Sequence, residues 1–257
     1  TAGGRTPADE IFMKRDDPVK MELILDGIQK KFGEKEVLRG ASFPFEQGKI
    51  YGLLGRNGAG KTTLFNCLSN EITMDAGTAQ LKDASGTLRA LTPEDIGYVF
   101  STPILPDFLT GREFLKFFME INRDKIRSDQ TIDDYFDLVK IDREDGDRLI
   151  KGYSHGMKNK VQMLCFMIAR PPIILLDEPL TSFDVVVALE IKQLIREISA
   201  EHIIIFSTHI LQLATDLCDE IVILNDGTLE QLDHDMLGSG DFEARIIEKL
   251  KDENAHE

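Results

Sequence analysis

Residues 55–62 read GRNGAGKT and satisfy the pattern G-x-x-x-x-G-K-[ST] at every fixed position. An apolar run, KIYGLLG (49–55), leads into the loop, and KTTLFNCLSN (61–70) behind it reads as a helix. Each residue type has a physical reason. Gly55, Gly58 and Gly60 let the backbone curl, so that successive N–H groups, those of Asn57 and Ala59 among them, turn inward on phosphate oxygens. Lys61 brings a compact positive charge to the β- and γ-phosphates, and Thr62 offers a hydroxyl to Mg²⁺. Thr63 lies in the first turn of the helix, whose positive N-terminus adds to the attraction.

A second stretch, IILLDE (173–178), is an apolar strand that ends in two acids. It puts Asp177 at the carboxyl edge of a sheet, where open α/β sheets bind ligands. Asp177 suits an outer-sphere or water-mediated contact to Mg²⁺. Glu178 suits polarisation of an attacking water, a role typically worth ~10²–10⁴ in rate. Together the two motifs define a P-loop NTPase. HIIIFSTH (202–209) is a further buried strand, and EIVILNDGTLEQL (220–232) reads as a hairpin around Asp226-Gly227. Apolar strands that alternate with helices predict an α/β fold, a mainly parallel sheet covered on both faces.

Other segments read as additions to that core. MELILDGIQKKF (21–32) and EVLRGASFPFE (36–46) form an antiparallel β subdomain. Short strands follow over 73–100, with turns expected at Asp75-Ala76-Gly77 and Ala84-Ser85-Gly86. An inserted α-helical subdomain spans about 103–165. Its helices open on capping boxes, Thr110 with Glu113 and Thr131 with Asp134. DVVVALEIKQLIREISA (184–200) is a helix. Asp241 to Lys251 is a last amphipathic one, with Phe242, Ile246, Ile247 and Leu250 on one side. Residues 1–20 read as a flexible N-terminal extension, those upstream of Met13 or Met21 in part as residues added by cloning. Residues 21–257 read as one domain.

The formal net charge of −15 and the lack of any Lys/Arg-dense block argue against nucleic acid as a partner. Cys67, Cys165 and Cys218 are scattered in apolar stretches and read as free thiols of a reducing compartment. No run approaches the ~18–20 apolar residues of a membrane span, and residues 1–20 lack the apolar stretch of a signal peptide. The expected location is cytoplasmic.

From about residue 21 to about 232 the chain resembles the nucleotide-binding subunit of an ABC transporter. The landmarks agree in type, order and spacing. Phe32, in KKFG, stands where that family keeps an aromatic that stacks on adenine. GRNGAGKT and IILLDEP follow the family pattern. LTSFD (180–184) resembles its D-loop, with Asp184 the matching acid. STH (207–209) resembles its switch loop, which implies that His209 contacts the γ-phosphate and helps hold Glu178 and the water. YSHGM (153–157) stands in place of the signature LSGGQ. There Ser154 and Gly156 match, while His155 and Met157 replace Gly and Gln. Ser154 also reads as the N-cap of the following helix.

The resemblance implies ATP and Mg²⁺ as ligands. It also implies an ATP-driven head-to-tail dimer, homo- or heteromeric, and an integral membrane subunit that holds the protein on the inner face of the membrane. The likeness is strongest to exporters of drugs, peptides or bacteriocin-like molecules, through YSHGMKNK and ILPDFLTGREFLKFF. Ser101 is a departure: relatives carry there a glutamine that contacts Mg²⁺ and the attacking water. A serine reaches the metal only through a water, so slower hydrolysis is expected.

Two rival readings stand beside this one. An ABC-class ATPase acting on DNA or ribosomes usually carries coiled-coil insertions or basic arms. GYSHG (152–156) also fits the nucleophile elbow G-x-S-x-G of α/β-hydrolases, with Asp177 or Asp184 and then His209 in the right order.

Overall fold

The computed structural model of the chain describes residues 20–100, 102–126, 130–179 and 185–232. Ser101, Asp184 with the rest of its loop, the N-terminal extension up to residue 19 and the expected last helix lie outside the described residues.

Two sheets organise the fold. The first is antiparallel, in the order β2-β1-β4-β5, from β1 (Glu22–Phe32), β2 (Lys35–Glu46), β4 (Ala76–Lys82) and β5 (Leu88–Ala90). The second has the order β10-β9-β3-β8-β7-β6. Its strands are β3 (Ile50–Leu54), β6 (Ile96–Val99), β7 (Ile173–Asp177), β8 (Ile203–Thr208), β9 (Glu220–Asn225) and β10 (Thr228–Gln231). Every pairing in it is parallel except the β9–β10 hairpin. That hairpin turns on Asp226 and Gly227, whose φ angles of 45° and 74° are the two positive values a tight hairpin turn needs.

The strands β3, β7 and β8 are buried at every position. Alternate residues feed two cores, as a period of two requires. Ile173 and Leu175 join the core shared with α1 (Lys61–Leu68) and the antiparallel sheet. Ile174 and Leu176 pack with Met163 and Phe166 of α5 (His155–Ala169) and with Ile191 and Ile195 of α6 (Val185–Ile198). Each such side chain contributes ~1.5–3 kcal/mol relative to exposure. A third core belongs to the helical stretch of α2 (Gly111–Ile121), α3 (Ile132–Leu138), α4 (Arg143–Gly146) and α5, with Leu115, Phe136, Ile150 and Leu164 at its centre.

Local detail departs from the sequence reading in several places. Asp75-Ala76-Gly77 is no turn. Ala76 and Gly77 begin β4, and Gly77 (φ 89°) lies so close to a bulge in β1 that a Cβ there would stand 2.3 Å from Gly27 O. Helix α5 keeps the expected Ser154 cap and stops at Arg170 in the left-handed conformation (φ 47°). A short α7 (Leu211–Leu217), for which no element was expected, packs on β3. A Cβ on Gly52 would stand 3.0 Å from Cys218 Sγ and 3.2 Å from Ala214 Cβ, so the glycine admits this close approach. Among the described residues, no helix is long and apolar enough to cross a membrane.

Candidate functional site

The carboxyl ends of β3, β7 and β8 and the start of α1 converge on one place. Gly58 and Gly60 take positive φ angles of 84° and 106°, which glycine adopts at no steric cost. A Cβ on Gly60 would come within 2.8 Å of Val37 Cγ1, so the loop also needs glycine to sit against β2. Gly60 caps α1 without a side-chain acceptor, which leaves first-turn N–H groups for an anion. Lys61 is only 5 % exposed. Its Nζ donates to Gly55 O at 2.8 Å and to Arg56 O at 3.2 Å, and lies 4.0 Å from Glu178 Oε1. Burial lowers its pKa, and the charges of Glu178 and Asp177 oppose that shift.

Asp177 is 5 % exposed and accepts two hydroxyls, Thr62 Oγ1 at 2.8 Å and Ser207 Oγ at 2.5 Å. The parallel register of β7 and β8 sets Asp177 opposite Ser207. The Glu178 N–H donates to both Ser207 O (3.2 Å) and Ser207 Oγ (3.1 Å). Glu178 itself has φ 48°, a left-handed conformation uncommon for residues other than glycine. Its Oε1 lies 3.0 Å from His209 Nδ1.

The structure therefore brings Lys61, Thr62, Asp177, Glu178 and His209 together. Sequence reading gave no part to Ser207, which is fully buried and joins both acids. Its position in STH was visible, but its contact depends on a strand register that spacing alone does not reveal.

The donor set suits a hard cation. Thr62 is exposed and offers a hydroxyl oxygen, while Asp177 offers a carboxylate with lone pairs to spare. Among the described residues, no group of three or more His, Cys, Asp or Glu side chains is placed to hold a metal by itself. A cation here would draw further ligands from water and substrate phosphate, which is how Mg²⁺ is usually held.

Phe32 ends β1 with 52 % of its surface exposed, and Lys30 Nζ lies 5.5 Å from its ring centre. An open cavity of about 330 Å³ lies beside the loop, lined by Lys35, Val37, Arg56, Asn57, Gly58 and Ala59 among others.

Ser154 caps α5, its Oγ accepting from Met157 N at 3.2 Å. Tyr153 before it is buried and donates its hydroxyl to Asp145 O at 2.7 Å. Ser154 and His155 are exposed, and Gly156 and Met157 are half-buried. No strand leads into Ser154: a 3-10 turn, Ile150–Gly152, does. Asp177 is occupied by Thr62 and Ser207, and His209 faces Glu178. The nucleophile-elbow reading of GYSHG is thereby overturned, since no strand leads into Ser154, the serine serves as a helix cap, and His209 and Asp177, one of the two candidate acids, are engaged elsewhere.

A phosphate loop between a buried parallel strand and a helix, with a strand-end aspartate bonded to the loop threonine, defines a P-loop NTPase fold. Comparison with known proteins narrows the class. Residues 38–181 match the family model described as ABC transporter. A Bacillus subtilis protein, the uncharacterized ABC transporter ATP-binding protein YdbJ, is 30 % identical over 81 % of this chain and 68 % of its own length. The uncharacterized ABC transporter ATP-binding protein MJ1023 of Methanocaldococcus jannaschii is 34 % identical over 81 % of this chain and 76 % of its own length. A sulfate/thiosulfate import ATP-binding protein, CysA 2 of Agrobacterium fabrum, is 32 % identical over 82 % of this chain and 63 % of its own length. In fold, a solved ATP-binding subunit of an ABC transporter superposes with a TM-score of 0.74 at 23 % identity, over 89 % of this chain and 99 % of that one. The chain belongs to the ABC transporter family.

Proposed function

We propose that this chain binds ATP with Mg²⁺ and hydrolyses it as the ATPase subunit of an ABC transporter, powering export through a separate membrane subunit. The carrying observation is the array Thr62–Asp177–Ser207–Glu178–His209 on the phosphate loop. Phe32 stacks on the adenine. Gly55, Asn57, Gly58, Ala59 and Gly60 wrap the phosphates with backbone N–H groups, Thr63 adds the helix start, and Lys61 turns from its carbonyls to the β- and γ-phosphates. Thr62 and Asp177 would hold Mg²⁺, with Ser101 reaching it through a water, and the ion would supply charge neutralisation for the phosphates. Glu178 takes up the proton of the attacking water, and His209 steadies Glu178 and the γ-phosphate.

Residues 153–157 do not belong to this cluster. They sit on the core of the helical segment, which supports a role toward a second subunit's nucleotide. Ser154, His155, Gly156 and Met157 would present a hydroxyl, backbone N–H groups and a helix N-terminus to the γ-phosphate across a head-to-tail dimer, homo- or heteromeric, and Asp184 would serve as the D-loop acid. The whole of residues 21–257 acts as one ATPase domain, and its helical part meets the membrane subunit on the inner face of the membrane.

Export rests on likeness in YSHGMKNK and ILPDFLTGREFLKFF, while a sulfate importer is among the relatives, so direction needs its own measurement. The purified chain should hydrolyse Mg-ATP, Lys61→Ala should reduce turnover by at least ~10², and Ser101→Gln should raise it. A wild type without ATP affinity would refute the reading. Co-expression with the membrane subunit, followed by uptake assays in inverted and right-side-out vesicles, decides direction: ATP-driven accumulation in the inverted ones means export.

A further inference from the structure

Phe32 is half exposed at the end of β1, yet one face of its ring is taken. Lys30 stands two positions earlier on the same strand, so both side chains leave β1 on one side. Its ammonium lies over the ring, 5.5 Å from the centre, within the ~6 Å reach of a cation–π contact. Hydrogen bonds fix that ammonium in place: Nζ donates to Thr73 O at 2.7 Å and to Asp75 Oδ1 at 3.1 Å. Asp75 is itself tied to β1. Its Oδ2 accepts from Lys31 N at 2.7 Å, and its N–H donates to Gln29 O at 2.9 Å. The Lys30 side chain is accordingly only 13 % exposed, although it starts from a strand end at the surface.

The place of the ring bears on the nucleotide. Phe32 pairs across the β1–β2 hairpin with Lys35, and Lys35 and Val37 line the cavity beside the phosphate loop. A base held there can stack on one face of the ring only, because the anchored ammonium covers the other. That ammonium also acts through the ring. Aromatic faces are negative, so two rings laid face to face repel at their centres. A cation on the far face offsets this negative charge and favours an electron-rich base on the near one.

We infer that Lys30 is a positioning residue for the base of the nucleotide: it backs Phe32, fixes the orientation of the ring and leaves it one face for stacking. The inference rests on the ATPase reading, in which Phe32 meets the adenine.

The experiment titrates the whole chain with ATP in EDTA by isothermal titration calorimetry, so that no hydrolysis intervenes. Lys30→Met keeps an apolar stem and removes the charge, and it should weaken ATP binding about two- to fivefold. Lys30→Arg keeps a cation that lies well on a ring, so it should stay within about twofold of wild type. In a Phe32→Leu background, Lys30→Met should change nothing further. Unchanged ATP affinity in Lys30→Met overturns the inference. A loss of the same size in the Phe32→Leu background overturns it too, since the effect then does not pass through the ring. If Lys30→Met does not fold, Lys30→Gln decides by the same cycle. Wild-type ATP affinity in Phe32→Leu would remove the stacking on which the inference stands and leave the ATPase reading in place. A wild type that binds no ATP would sink the ATPase reading itself, so the two failures are told apart.

Discussion

Ser207 has no charge and takes no proton, yet it sets the geometry of both acids. Its hydroxyl donates to Asp177 and accepts from the Glu178 N–H, and its carbonyl takes a share of the same N–H. Ser207→Ala leaves a buried carboxylate short of one donor, and a hydrogen bond to a charged group contributes ~1.5–3 kcal/mol. Stability should fall by about that much in urea titration. Turnover should fall more than ATP affinity, because Glu178 loses its anchor while the phosphate loop does not. Equal loss in both would mean that Ser207 supports the fold alone. Residues of this type escape sequence reading for a physical reason. Lys61 and Thr62 announce themselves through an eight-residue pattern, whereas Ser207 matters only through neighbours that strand register brings to it.

Among the elements, the entry to β6 carries a two-pronged charge pair. Asp95 is buried and accepts from Arg89 Nη1 and Nη2 at 2.5 and 2.6 Å, from Thr92 N at 2.8 Å and from Thr92 Oγ1 at 2.9 Å. The Arg89 guanidinium holds the Asp95 carboxyl below the usual range, with burial pulling the other way. A carboxylate with a depressed folded pKa contributes stability that is complete above the unfolded value near ~4 and is lost as pH falls through the folded one. Asp95→Asn should therefore cost ~1.5–3 kcal/mol at pH 7, and the gap to wild type should shrink below about pH 4. A gap of constant size from pH 7 to pH 3 would show that the ionised carboxylate is not what stabilises this turn. The larger elements were legible because burial on both faces writes itself as unbroken apolar runs, as in IILLD and IIIF. Helix α7 was not: it is seven residues long and lacks a side-chain cap, and its place depends on a close approach at Gly52. The bulge opposite Gly77 mimicked a turn, because glycine serves both.

At the scale of the whole molecule, the separation of two groups matters most. The acids and the phosphate loop lie on the parallel sheet, while Ser154 caps a helix within another core. Under the proposed mechanism they meet only between two subunits. Glu178→Gln keeps the shape of the side chain and removes the base, so it should hold ATP unhydrolysed and trap the dimer. Light scattering with ATP should show a doubled mass, and Ser154→Arg in the same background should return it to monomer. A Glu178→Gln chain that stays monomeric with ATP, alone and beside its membrane subunit, would refute the head-to-tail arrangement.

The backbone at Glu178 has a further consequence. A residue other than glycine held at φ 48° costs the fold ~1–2 kcal/mol, and asparagine tolerates that conformation better than glutamate. Glu178→Asn should therefore raise the melting temperature by a few degrees while abolishing turnover, which calorimetry and a phosphate-release assay would check together. Heat resistance and activity are opposed at this position, so a library screened for survival on heating alone would drift toward inactive chains here, and a screen for robust variants has to select for turnover at the same time.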